Sequence, residues 1–250
     1  MSNFAFFFKK VKRKVDSWRL EPIHIYCLHH VSREEDPIVC CKGDWISDAT
    51  FKETIQALIG AGYHFISLSG AQNKIKNDLI RIRKYAVLTF DDGYRSSLPA
   101  FHWLEGQGIP YTLFLNTKYL DGISVSTHIL NHARTIKPDI EQKDIAHNLY
   151  LSLEDLKGLS SLYAELGSHG YEHIDATTLS LDCFAEQVLD SFKELQSSSL
   201  KTIPFHAYTW GRHTELTDTL LSNLCIIPVL IDGERNINDS SVMHRELFPY

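Results

Sequence analysis

The run Thr89-Phe90-Asp91-Asp92-Gly93-Tyr94 places two adjacent carboxylates directly behind an apolar stretch, with a glycine free to turn the chain. Neighbouring residues of a strand point to opposite faces, but a turn that begins here can bring both carboxylates toward one pocket. One can then ligate a metal ion while the other stays free as a base. An ordinary Asp-Asp-Gly turn explains the same letters with no chemistry at all. A second run, Leu166-Gly167-Ser168-His169-Gly170-Tyr171-Glu172-His173, carries two histidines four apart. If a helical turn follows a strand end there, both imidazoles face one ion. The spacing alone is weak, because His128 and His132 repeat it. That rival pair has no strand before it and no carboxylate pair beside it, so His169 and His173 are the preferred ligands. One carboxylate and two imidazoles around an open-sided ion, with a spare carboxylate alongside, suit Zn2+ or a similar divalent metal. An Asp-His-His set also serves iron oxygenases, which usually take an HxD pair on one strand and a distant histidine.

Such groups need strand ends to hold them, and the chain alternates β-like and helical runs. Ile23–Leu28, Phe65–Leu68, Ala86–Phe90, Tyr111–Leu115, Ala164–Ser168, Phe205–Trp210 and Ile226–Ile231 read as strands. Between them, Phe51–Ile59 follows a Ser47-Asp48 cap, and Leu98–Leu104 is stopped by Gly106 and Gly108. A Ser152/Asp155 capping box opens a helix to Tyr163; Ser180–Gln196 and Thr214–Leu224 complete the helices. Thr117 to Tyr150 is polar, irregular and longer than an ordinary connection, as a functional lid or an insertion would be. Roughly seven βα units with no domain-sized linker predict an α/β fold: a single distorted (β/α) barrel of about seven strands over residues 21–250.

Composition narrows the function further. The 250 residues are 44% hydrophobic and 22% charged, which excludes disordered and disulfide-scaffold classes. A net charge of −6 argues against a nucleic-acid partner. Thirteen histidines are a first hint of metal chemistry. Five cysteines with no CxxC pair read as reduced thiols in a cytoplasmic protein. Residues 1–20 form a separate basic and aromatic segment, in which Met1–Phe8 precedes Lys9, Lys10, Lys12, Arg13 and Lys14. A secretory signal has the opposite order and ends at a small-residue cleavage site. The expectation is a cytoplasmic protein with peripheral contact at the inner membrane face through residues 1–18, each Lys or Arg adding about 1 kcal/mol there. A frayed terminus or a helix packed on the domain is the plain alternative.

Thr89–Gly93 (TFDDG) and Gly167–His173 (GSHGYEH) together resemble the first two motifs of the NodB-type polysaccharide deacetylases, carbohydrate esterase family 4. The resemblance runs from about Ile25 to about Phe248. It implies Asp91 as general base, and Asp92, His169 and His173 as ligands of a divalent metal ion, with Zn2+ expected. Phe205–Gly211 (FHAYTWG) is similar to the third motif, which supplies a backbone N–H to the oxyanion. Here Thr209-Trp210 replaces Pro-Tyr, and Ala207 stands where many members keep an arginine that orients the base. Trp210 still offers its N–H and an aromatic wall, or is simply core; Tyr94 joins it on the substrate side. Val242–Phe248 holds His244-Arg245 without the expected preceding strand, whereas Cys27-Leu28-His29-His30-Val31 resembles the opening of members with circularly permuted motif order. His29 is therefore the first choice as general acid, His30 the second and His244 the third. The implied reaction is metal-assisted removal of an N-acetyl or other N-acyl group from an amino sugar in a polysaccharide or its precursor. A catalytically degenerate glycan-binding member, or a non-sugar amidohydrolase or deformylase, is the alternative.

Overall fold

Alternation along the apolar strands builds the fold. The computed structural model describes residues 23–38, 45–77, 83–234, 236 and 240–250; the 1–20 segment, Cys40 and Cys41 lie outside them. Seven strands pair in parallel and close into a ring: β1 (Ile23–Leu28), β5 (Lys84–Phe90), β6 (Tyr111–Leu115), β7 (Ala164–Ser168), β8 (Lys201–Ala207), β9 (Ile227–Ile231) and β10 (Met243–Leu247), which returns to β1. β4 (Tyr63–Phe65) adds to the lower half of β5, and β2 (His30–Ser32) pairs with β3 (Trp45–Ser47) in a separate two-stranded sheet. This is the barrel expected from the βα alternation.

One parity of each strand packs outward beneath the helices: Tyr26, Leu28, Leu88 and Phe90 join Phe51, Ile55 and Leu58 of α1 (Asp48–Gly60) and Phe101 and Leu104 of α3 (Leu98–Gly106). The other parity fills the barrel. Ile23, Ile25, Val87, Phe114, Phe205, Val229 and Met243 meet inside, above Leu68, Ala71 and Ile75 of α2 (Leu68–Lys76). A strand buried on both faces reads as a continuous apolar run, and β1, β6 and β7 are buried at every position. The inward parity therefore leads, at the C-terminal strand ends, to Asp91 after β5 and His169 after β7. Gly167 lies on the same parity, and a Cβ there would meet the Phe114 ring at 2.4 Å.

The structure departs from the expected elements in several places. The strand anticipated at Phe65–Leu68 lies at Tyr63–Phe65, because Ser67 Oγ accepts from Gly70 N and starts α2 at Leu68. The segment from Thr117 is helical rather than irregular, with α4 (Thr127–Ile136) and α5 (Gln142–Leu149) packed in an apolar cluster of their own with Tyr94, Tyr119 and Tyr150. The Ser152 capping box is present, but α6 (Leu153–Lys157) stops at Gly158. β8 ends at Ala207 and a short 3-10 turn holds Thr209–Gly211, while β10 forms where no strand was expected. Two further helices, α7 (Leu181–Leu195) and α8 (Glu215–Asn223), fall where the periodicity puts them.

Candidate active site

β5 delivers Asp91 and Asp92 to the mouth of the barrel through a strained turn. Asp92 adopts φ +67°, a left-handed conformation that costs a non-glycine residue energy. Gly93 follows at φ +75°, where a Cβ would sit 2.6 Å from Leu115. The turn sends the two carboxylates in different directions. Asp92 Oδ1 lies 3.4 Å from His169 Nε2 and 3.2 Å from His173 Nε2. His169 Nδ1 bonds the Ala207 carbonyl at 2.7 Å, which fixes the tautomer and turns the Nε2 lone pair toward Asp92. Asn116 Nδ2 donates to the His169 carbonyl at 2.6 Å and holds the loop after β7 in place.

Asp92, His169 and His173 thus converge as one group of metal-ligating atoms. Asp92 Oδ1 is buried without a properly oriented hydrogen bond. A buried carboxylate oxygen facing two imidazole Nε2 atoms fits a divalent ion. Burial pushes the Asp92 carboxyl up, but His173 and His169 outweigh it and hold it well below the usual carboxylate range. A carboxylate that stays ionised is ready to ligate.

Asp91 is held by a different partner. Arg245, wholly buried on β10, forks onto it: Nη1 donates to Oδ1 at 2.6 Å and Nη2 to Oδ2 at 2.8 Å. Nη1 also reaches Thr89 Oγ1 at 3.1 Å, and the guanidinium lies 5.2 Å from the centre of the Phe114 ring. Burial pushes Asp91 up, yet Arg245 with His169 brings its carboxyl below the ordinary value. Cys27 Sγ approaches Asp91 Oδ2 at 3.5 Å. Cys27, His29 and Asp91 also gather closely enough to hold a metal. However, both Asp91 oxygens are on Arg245, and burial pushes the thiol up, so it stays protonated.

A cavity of about 290 Å3 opens over these groups and is lined by His29, Asp91, Asp92, Tyr94, His169, His173 and Trp210, among others. Trp210 is 50% exposed, which removes the reading of it as core, and its φ of +54° turns it over His173, with ring centres 4.5 Å apart. His29 follows β1 and faces the cavity. His30, the second choice for the acid, is buried against Tyr94 with neither ring nitrogen hydrogen-bonded, and burial pushes its imidazole down. His244 points out of β10 to Asp232 Oδ2 at 2.9 Å and lines a separate cavity.

A family model described as polysaccharide deacetylase matches residues 80–226, more than half of the chain. The chain belongs to the polysaccharide deacetylase family. No curated protein sequence matches it. Among solved structures, this deacetylase resembles IcaB from Ammonifex degensii (20% identity, 90% and 91% of the two chains covered, TM-score 0.68). It also resembles the Streptococcus pyogenes deacetylase PplD in complex with acetate (19%, 91% and 92%, 0.70). A de-N-acetylase from Aggregatibacter actinomycetemcomitans is similar too (14%, 90% and 94%, 0.69). At these identities the likeness is one of fold, and the fold is the NodB-type barrel.

The deacetylase gathers every first-choice site residue at one mouth and keeps the rival pair out of the metal-ligating group. His132 Nε2 bonds the Pro37 carbonyl at 3.0 Å, and neither His128 nor His132 joins a metal-ligating group among the described residues. His173-Ile174-Asp175 has the HxD form, but Asp175 turns to Arg212 at 2.7 Å and Thr177 at 2.7 Å. The residue that sequence reasoning missed is Arg245. Ala207 leaves Asp91 without the arginine expected on β8, and β10, two strands along the ring, supplies a guanidinium to it. The one available signal was the alternation Met243, Arg245, Leu247, which puts arginine on the parity of a buried methionine.

Proposed function

We propose that this family member is a metal-dependent hydrolase that removes an N-acetyl, or other N-acyl, group from an amino sugar in a polysaccharide or its precursor. One observation carries the reading: Asp91, clamped by Arg245, and the Asp92–His169–His173 group open side by side into the same cavity. Asp92, His169 and His173 would hold the ion, Zn2+ by its ligand set, which when bound supplies a Lewis acid to the acyl carbonyl and acidifies attacking water.

The remaining steps belong to the chain. Asp91 accepts the proton of the attacking water, and the Arg245 fork fixes the direction of its carboxylate. His29, on the same cavity, donates a proton to the departing amine, which is a poor leaving group while unprotonated. Trp210 offers an indole face to the sugar, and its backbone N–H is the oxyanion donor; Tyr94 closes the wall behind. A glycan-binding member without turnover draws support from Thr209-Trp210 in the third motif; the intact Asp91–Arg245 pair weighs against it. A cytoplasmic protein touching the inner membrane face through residues 1–18, acting on a lipid- or nucleotide-linked precursor, completes the proposal. The aromatic-basic run and the free thiols of Cys27, Cys183 and Cys225 support it.

The test is amine release from N-acetylglucosamine oligomers by zinc-loaded protein, with metal content measured in parallel. Asp91→Asn should keep its metal while turnover falls by about 10²–10⁴-fold. Asp92→Asn should lose metal and activity together, because an amide oxygen is a poor ligand for a divalent ion. Wild-type protein that releases no amine from any N-acyl sugar, or full turnover by Asp91→Asn, overturns the reading.

A further inference from the structure

The β6–β7 connection turns four side chains toward the cavity: Ser126, His128, Ile129 and Tyr150. Three of them hold the connection together. Ser126 Oγ accepts from Ile129 N at 3.3 Å and from Tyr150 Oη at 3.3 Å. Ile129 is buried in the cluster formed by α4 and α5. Tyr150 stacks between Tyr94 and Tyr119, with ring centres 5.7 and 4.8 Å away. One turn along α4, His132 bonds the Pro37 carbonyl and fixes the rotation of the helix.

His128 is the fourth. It is exposed on the first turn of α4, and its ring stands 6.1 Å from the Trp210 indole at 79°. Trp210 in turn stands 4.5 Å from His173 at 79°. Moving outward from the metal-ligating group, the order is therefore His173, Trp210, His128. An acyl group placed at Asp92, His169 and His173 would bring the ring that carries it toward Trp210 and His128.

We propose that His128 is a substrate-recognition residue that hydrogen-bonds a hydroxyl of the sugar seated on Trp210, so that the β6–β7 connection selects a saccharide over a simple acyl compound. A sugar ring has apolar C–H faces and a rim of hydroxyls. A half-exposed indole matches the first, and an imidazole, whose ring nitrogens pair with hydroxyls, matches the second. A bare acyl ester offers nothing to this corner. The inference rests on the deacetylase reading above and names what that site selects.

Two measurements test it. Zinc-loaded wild type, His128→Ala and His128→Gln are compared on N-acetylglucosamine oligomers and on a sugar-free acetyl ester. The ratio of the two kcat/KM values should fall about three- to tenfold in His128→Ala, the worth of one neutral hydrogen bond. The fall should come through KM for the oligomer, and His128→Gln should recover part of it. An unchanged ratio overturns the assignment, as does a fall confined to kcat. Calorimetry of oligomer binding to Asp91→Asn protein, with and without His128→Ala, reads the same contact without turnover. Equal affinities there overturn the role of His128. Affinity that depends on His128, in a protein whose wild type releases no amine, overturns the deacetylase reading alone.

Discussion

Replacing Arg245 with methionine tests how Asp91 is made into a base. Both Asp91 oxygens rest on the guanidinium, at 2.6 and 2.8 Å, and both side chains are buried. Charge centres about 4 Å apart at an effective dielectric of about 20 interact by about 4 kcal/mol. At about 1.4 kcal/mol per unit, that is at most about three pH units. Methionine leaves the burial that raises Asp91 and deletes the charge that lowers it most, so the carboxyl must titrate higher. The acid limb of kcat/KM should therefore move up by about one to three pH units. An unpaired buried carboxylate also costs about 3–5 kcal/mol, which for a chain of this size is a Tm loss of about 6–20 °C. Arg245→Lys keeps the charge and loses the fork, so its acid limb should move less while its plateau rate falls. Should Arg245→Met prove too unstable to assay, Asp91→Asn in the same chain should restore Tm, because the unpaired charge is then gone. An unshifted acid limb in folded Arg245→Met, or no recovery of Tm in the double variant, refutes the reasoning.

Asp155 gives a pH-dependent stability prediction away from the site. It caps α6 through Ser152 N at 2.9 Å and pairs with Arg95 at 2.9 Å. Burial pushes its carboxyl up, but Arg95 and Ser152 outweigh this and set it below the ordinary value. Its contribution is therefore complete above the unfolded value of about 3.9 and is lost as pH falls through the folded one. Asp155→Asn should cost about 1 kcal/mol at pH 7, or about 2–4 °C, and the gap to wild type should close in acid; a gap that widens there contradicts the pairing. Deleting residues 1–18 should lower binding to anionic liposomes, with the difference shrinking as salt rises, and equal binding by both forms removes the membrane contact.

What was legible in the sequence follows from how locally each feature is encoded. Asp91 and Asp92 adjoin each other, and His169 and His173 lie four apart, so each pair can be read without knowing the fold. The strand ends that carry them are nearly as local, since β5 holds the apolar run Ala86–Leu88 and β7, though it contains Glu165, is buried at every position. α4 was missed although Ile129, Leu130, Ala133 and Ile136 fall at helical spacing, because the stripe is short and its partners lie in the polar segment around it.

Arg245 was missed for a deeper reason. A charged residue in a strand is ordinarily assigned to solvent, and nothing nearby says that this one faces a carboxylate 154 positions away. The family pattern sought its arginine at Ala207, where the side chain ends at Cβ. Yet what a buried base needs is a guanidinium at one point in space. The closed ring of parallel strands offers that point from more than one strand, as long as the donor lies on the inward parity. Arg245 shares that parity with Met243 inside the barrel and reaches up past Thr89. The altered third motif therefore does not weigh against Asp91 as the proposed base: an orienting charge enters from β10, and the Ala207 carbonyl is left to hold His169.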